Sequence, residues 1–468
     1  MKALTVYGKQ FLYLSLLISF LSFNINAQDF ISEINNPSIK YDFGHWVIYE
    51  MNVGSFTSEG TFNAAAQKLS DLKSLGIDIV WLMPIYKRDG GLNSPYAAAA
   101  FQTPNPSYGS IEDLKNLVSK AHELNMEIWL DWVPNHTANN HPWLELHPDY
   151  YASNLHPFYS DVSQLNYENP ELCDRMTEML KYWIDQADVD GFRCDFISSP
   201  YIPNSYWLST IPELKKYKDG KTITMLGESD FTDATRLFGT GWDYDYAWWF
   251  QESALWKSVG KGSDTGNLKD VCDKLVNDNR YDNLDRMVYL TNHDVNFNHN
   301  VKLSDMYGDN KYVFTVLIFT LYGMPLIYNG QEIGGEQVLN YFSDSKINWN
   351  DFDNKMYNTI RTLSAMKHSV NAFKDGKNKN ERGTVNWIKS DSGLAAYIRK
   401  NGNSEALVIL NLGDKNKFIL SDIKEGTYTQ WLDSQTISNG VSQKKVTLDS
   451  NYKFELEKRG YAVYVLDN

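Results

Sequence analysis

The sequence predicts an α/β fold: an eight-stranded parallel (β/α) barrel of the TIM type, a short loop insertion after the third strand, and a C-terminal antiparallel β-sandwich. Three observations carry this. Eight short apolar runs recur, at 46–53, 77–84, 127–133, 190–196, 222–226, 243–250, 287–291 and 325–328. Several are almost continuously apolar, as strands buried on both faces of a parallel sheet must be. Between them, apolar residues return every three or four positions, the period of a helix with one buried stripe.

The elements follow in order. Lys2 and Lys9 flank the start of an apolar stretch from 11 to 23, and Asn24-Ile25-Asn26-Ala27 ends in a small residue. Residues 1–27 therefore read as a cleavable secretory signal, too short to span a bilayer comfortably. A periplasmic or secreted protein is expected, with no later stretch apolar enough to span a membrane and no cysteine directly after the segment to carry a lipid; a retained membrane anchor is the rival reading of residues 1–27. Residues 28–375 are expected to form the barrel. In 61–75 the stripe is Phe62, Ala65, Leu69, Leu72 and Leu75; in 169–187 it is Leu172, Met176, Met179, Leu180, Trp183 and Ile184. An open doubly wound sheet is the competing topology, but no Gly-rich phosphate loop follows the first strand. The irregular stretch at about 137–165 leaves a strand's C-terminal end, so it should overhang the barrel mouth. A charged linker at 374–383 leads to the sandwich, 380–468. Its strand runs, at 385–388, 395–398, 406–410, 428–432, 445–448 and 462–466, are parted by turns such as Asn401-Gly402-Asn403 and Ser438-Asn439-Gly440.

Composition narrows the function. The chain of 468 residues is 43% hydrophobic and 22% charged, the balance of a globular protein with a sizeable core. A net charge of −14 argues against nucleic acid or anionic membrane as partner. The 14 Trp and 30 Tyr suit carbohydrate, whose apolar ring faces stack on flat side chains, as well as a large aromatic core. Cys173, Cys194 and Cys272 are odd in number and widely spaced, which suits small buried residues better than a disulfide framework.

In such a barrel the C-terminal strand ends line the site. The third strand ends Asp131-Trp132-Val133-Pro134-Asn135-His136, and the fourth runs Gly191-Phe192-Arg193-Cys194-Asp195. The fifth ends Leu226-Gly227-Glu228-Ser229 and the seventh Thr291-Asn292-His293-Asp294. Asp195, Glu228 and Asp294, with an arginine and two histidines, thus converge on one mouth. One acid at a strand end is usually a helix cap or a solvated loop residue; four such ends are a different matter.

These four motifs, in this order, resemble those of glycoside hydrolase family 13, the α-amylase family, and the resemblance covers nearly the whole chain after 27. It implies that Asp195 is the nucleophile, Glu228 the general acid/base and Asp294 the transition-state stabiliser. It implies that Arg193, His136 and His293 hold the sugar being cleaved, and that Tyr96 stacks on it. The residue types suit the task. Cleavage with retention needs an ionised carboxylate to attack and a protonated one to assist the leaving oxygen. Arg193, two residues from Asp195 on the same strand, should favour the first. Partial burial, or the charges of Asp195 and Asp294, should favour the second.

The chain also departs from the family pattern. Tyr96 is followed by Ala97-Ala98-Ala99-Ala100-Phe101, without the acid and hydroxyl often found there. Ser163-Gln164-Leu165-Asn166 stands where a small residue or proline and Asp-Leu-Asn are frequent, and Phe196-Ile197-Ser198-Ser199 replaces a segment that often carries Lys-His. The leaving-group side is thus expected to be more apolar. Asn135 matches a calcium ligand of many α-amylases, but calcium takes six to eight oxygens and the remaining ligands are not in evidence. No cofactor is expected to be required, with calcium open. His136, His141, His147 and His156 follow no common zinc spacing. The expected partner is an α-glucan oligo- or polysaccharide, hydrolysed at α-glucosidic bonds as in starch, glycogen or maltooligosaccharides. A transglycosylase or α-1,6-acting member of the family is the near alternative, and a non-catalytic glycan-binding relative the distant one.

Overall fold

The computed structural model describes residues 31, 32 and 40–467, apart from 89–92, 153–158, 230–238, 377–378, 415 and 442. The signal-like segment 1–27 and His156 lie outside these. Eight strands form the barrel: β1 (Ile48–Met51), β2 (Ile79–Leu82), β3 (Glu127–Trp132), β4 (Gly191–Cys194), β5 (Thr224–Gly227), β6 (Tyr244–Tyr246), β7 (Asp285–Val288) and β8 (Met324–Tyr328). All neighbouring pairs are parallel, and β1 closes on β8 with Ile48 beside Leu326. Closure excludes the doubly wound sheet and leaves no unpaired edge. Each apolar run overlaps one strand. Gly191 opens β4 because a Cβ there would lie 2.6 Å from the Thr224 carbonyl oxygen and 2.8 Å from the Trp129 ring.

Three boundaries differ from the periodicity. The run 243–250 is strand only as far as Tyr246, and Trp249–Val259 winds as a π-helix. A short apolar run does not distinguish strand from buried helix. The seventh strand stops at Val288, so 291–294 is not a strand end. Instead Asn292 caps the helix His293–Asn298, its Oδ1 accepting from Val295 N at 2.8 Å. The stripe at 61–75 is carried by two helices, Phe62–Ala66 and Leu69–Leu75, which turn at Gln67–Lys68 and keep the same residues buried. The helix Pro170–Ala187 buries its predicted face; Asn169 caps it and Asp188 ends it in the left-handed conformation.

Two excursions frame the mouth. After β2, Tyr86–Arg88 pairs with Ala98–Pro104, a ribbon hidden in the sequence by its run of alanines. After β3, His136–Ala138 pairs antiparallel with Val162–Gln164, so the base of the insertion is pinned beside the third strand's end. The C-terminal region is a six-stranded antiparallel sheet with a two-stranded ribbon, Lys417–Ile419 and Lys453–Glu455, over one face. Phe418 and Phe454, 5.7 Å apart, fill the space between them. These strands of three residues were too short to read from pattern. The other face of the sheet joins the barrel core: Tyr397 and Thr320 hydroxyls lie 2.6 Å apart, and buried Arg399 donates to the Thr320 carbonyl at 2.8 Å.

Candidate active site

Arg193 is the hub of the mouth. Its side chain is fully buried on β4, directed inward like that of Asp195. Nη1 donates to Asp131 Oδ1 and Oδ2 at 2.9 and 3.0 Å and to Asp195 Oδ1 at 3.0 Å. Nη2 lies 2.8 Å from Glu228 Oε2, an ion-pair contact in which no N–H is aligned on the oxygen. Nε donates to the Tyr246 hydroxyl at 3.0 Å, and the guanidinium lies over the Trp81 and Tyr246 rings. One cation thus faces three carboxyl groups.

That imbalance sets charge states. Burial raises the Glu228 carboxyl to about 8, with Asp195 and Asp294 adding to it against the pull of Arg193 and the Phe196 N–H. Glu228 is therefore protonated at neutral pH. Its Oε2 accepts from Phe196 N at 3.0 Å and faces Arg193, so the proton belongs on Oε1. Phe196 provides this N–H from a left-handed backbone, φ 43°, a conformation costly for a bulky residue. Two further backbone bonds, Glu228 N to Cys194 O and Ile197 N to Glu228 O, tie the ends of β4 and β5 together.

On the opposite side His293 stacks against Tyr96 at 5.3 Å, and its Nε2 lies 2.6 Å from the Tyr96 hydroxyl. That hydroxyl also reaches Asp131 Oδ2 at 3.1 Å. The polar support missing after Tyr96 in the sequence is thus supplied by Asp131 and His293. His293 Nδ1 sits 2.5 Å from Oε1 of Glu50, a carboxylate fully buried on β1. Burial lowers the His136 imidazole; its Nε2–H donates to the Tyr96 carbonyl at 3.1 Å, and Nδ1 lies 3.2 Å from Asn135 Nδ2. Asp294 Oδ1 accepts from Asn298 at 3.0 Å, and Oδ2 lies 3.3 Å from His293 Nε2.

Tyr96, His136, Asp195, Glu228, His293 and Asp294 all line one open cavity of about 610 Å³, with Arg193 beneath it. Tyr159 of the insertion, Phe196, Trp248, Tyr341 and Phe342 supply apolar wall. The chemistry available is that of two carboxyl groups in opposite roles on one cation, in a cleft sized for sugar rings.

The family model described as "Alpha amylase, catalytic domain" matches residues 50–154 and 145–425. The chain belongs to the α-amylase family of glycoside hydrolases. Among relatives of this α-amylase-family chain, "Alpha-amylase 3" of Dictyoglomus thermophilum is 28% identical over 367 residues, 69% of each protein. "Malto-oligosyltrehalose trehalohydrolase" of Saccharolobus solfataricus is 27% identical over 363 residues, 67% of this chain. The chain spans 63% of that relative's length, less than two thirds. Among solved structures, a maltogenic α-amylase AmyB of Thermotoga neapolitana superposes with a TM-score of 0.75 at 24% identity. That comparison covers 91% of this chain and all of the other, and speaks to the fold.

Many α-amylases bind calcium, so the surroundings of Asn135 are a direct test. Its Oδ1 already accepts from Ser199 Oγ at 2.5 Å and Gln164 Nε2 at 3.0 Å. Its Nδ2 faces His136 Nδ1 and Gln164 Oε1. The oxygen a cation would need is taken by protein donors, and no group of three or more His, Cys, Asp or Glu is gathered for a metal among the described residues. The residues around Asn135 do not fit calcium.

The structure thus brings all eight residues singled out in the sequence to one mouth or its immediate support. Sequence reasoning passed over Glu50 as a site residue and gave Asp131 no role, although each is an acid flanked by apolar residues inside a strand run. Tyr246 and Trp81, against the Arg193 guanidinium, carried no signal separating them from core aromatics.

Proposed function

We propose that the chain is a retaining α-glucan hydrolase, cleaving α-glucosidic bonds in starch, glycogen or maltooligosaccharides through a glycosyl-enzyme intermediate. The observation that carries this reading is the sharing of Arg193 by Asp195 and Glu228. Asp195 Oδ attacks the anomeric carbon while the glycosidic C–O bond breaks. The departing oxygen takes the electron pair and the proton from Glu228 Oε1. Asp294 faces the developing positive charge on the ring. Once Asp195 is esterified it is neutral, and one of the charges that raised Glu228 is gone. Glu228, now a carboxylate beside Arg193, accepts a proton from the water that attacks the ester. The sugar leaves with its original anomeric configuration, and Asp195 and Glu228 return to their starting states.

A second reading is transfer to a sugar acceptor, favoured by Phe196 in the cavity wall beside Glu228, with action on α-1,6 bonds as its companion alternative. An apolar face there suits the apolar face of a sugar acceptor better than water. The distant alternative, a glycan-binding protein without turnover, is disfavoured by the complete set of acids. Export to the periplasm or medium is part of the proposal and rests on residues 1–27. The test is incubation of the protein with starch, pullulan and maltooligosaccharides, with products resolved by size and anomeric form. Short α-anomeric products support hydrolysis with retention. Larger products support transfer, cleavage confined to pullulan branch-type bonds supports the α-1,6 reading, and unchanged glucans would remove the enzyme reading.

A further inference from the structure

We propose that Glu50 is a positioning residue that keeps His293 a fixed double donor beneath the bound sugar. The inference rests on the proposed function and adds a residue to it. Glu50 lies on β1, across the mouth from the acids, and its carboxylate is fully buried. Its Oε1 accepts from His293 Nδ1 at 2.5 Å, while Oε2 has no hydrogen-bond partner among the described residues. With Nδ1–H committed to Glu50, the protonated ring directs Nε2–H at the Tyr96 hydroxyl and the cleft. Tyr96 can then give its own proton to Asp131, which holds Arg193. Glu50, His293, Tyr96, Asp131 and Arg193 thus form one chain of charge-assisted contacts that ends at Asp195 and Glu228.

The groups facing His293 come from several elements. Asp294 lies 3.3 Å away on the same turn, Arg193 approaches from β4, and Asp131 from β3. The Trp81 and Tyr341 rings meet it edge to face. Burial pulls the imidazole down; Asp294 and then Glu50, by charge and by hydrogen bond, outweigh it and raise His293 to about 9. Removing Glu50 leaves Asp294 alone against burial and Arg193.

The test is Glu50→Gln, which keeps shape and removes charge. In 15N-histidine-labelled protein without substrate, His293 is expected to titrate near 9, and in E50Q to move towards 6.5. At 6.5 the protonated fraction at pH 8 falls about thirtyfold, while at pH 5.5 it is nearly unchanged. The deficit of E50Q in kcat/KM on maltotriose, relative to wild type, should therefore be about thirtyfold larger at pH 8 than at pH 5.5. An equal deficit at both pH values would make Glu50 a merely structural residue and overturn the proposal. So would a His293 signal in E50Q still near 9, or a wild-type His293 titrating at or below 6.5. The last measurement needs only the wild-type protein, so it decides even if E50Q does not fold. Inactivity of the wild type on every glucan would overturn the functional reading while the titration still decides the pair.

Discussion

Asp195 and Glu228 rest on neighbouring nitrogens of a single guanidinium, Oδ1 of the first 3.0 Å from Nη1 and Oε2 of the second 2.8 Å from Nη2 of Arg193. One positive charge cannot satisfy both and Asp131 as well, so the group most raised by its surroundings keeps a proton. That group is Glu228, which in the proposed mechanism makes it the acid and leaves Asp195 as the nucleophile.

Asp195→Asn should abolish turnover and leave the fold intact. Arg193 keeps both oxygens of Asp131, so the change strands no charge, while the amide cannot form the ester. The expectation is a loss of many orders of magnitude in kcat on maltooligosaccharides with an unchanged circular dichroism spectrum. Wild-type-like turnover in a contamination-controlled preparation would take the nucleophile's role from Asp195.

Glu228→Gln should separate substrates by leaving group. A natural sugar needs the proton and an activated aryl group hardly does, so the first should suffer more by about 10²–10⁴-fold. In wild type the protonated form is the active one, so kcat/KM should fall as pH rises through about 8. E228Q should lose this limb on the aryl substrate. Equal slowing of both substrates with the limb retained would assign the acid elsewhere.

Arg193→Gln should unfold or gravely weaken the protein. It leaves the fully buried Asp131 without its charge partner, a change that typically costs about 3–5 kcal/mol. Urea titration with an unchanged slope should show the loss as a lower midpoint. A loss under 1 kcal/mol, the scale of an exposed pair, would contradict the hub described here.

Stability should fall between pH 7 and 9. Burial raises Glu228 to about 8 and Asp131 and Glu332 to about 7, so the folded chain holds protons that the unfolded chain releases near pH 4. Their contribution declines from there up to the folded values. His293 is raised to about 9; its contribution is complete below about 6.5 and is lost as pH rises through 9. Buried His45, His136 and His141 are shifted down and oppose this only below about 6.5. Thermal melts across this range should show a falling midpoint; a rise from pH 7 to 9 would refute the assignment.

The barrel was legible because its strands are buried on both faces and say so by unbroken apolar runs. The four family motifs were legible because three of them close apolar strand runs with a carboxylate and the fourth, 291–294, follows the seventh strand closely. Glu50 was not, since a single acid within 46–53 has no partner in sequence; His293 stands 243 residues away. The same holds for Tyr96, whose alanine neighbours suggested missing support that Asp131 and His293 provide through space. The π-helix at Trp249–Val259 escaped because an aromatic run of that length fits strand and helix equally.

Phe196 divides its labour between two kinds of atom. Its main-chain N–H orients Glu228, while its side chain faces the cleft. A substitution at this position can therefore alter the cleft wall and keep the main-chain contact to Glu228. Only proline, which has no N–H, would sever that contact outright. In the proposed mechanism, acceptor preference can thus change at this one position while Glu228 keeps its main-chain contact.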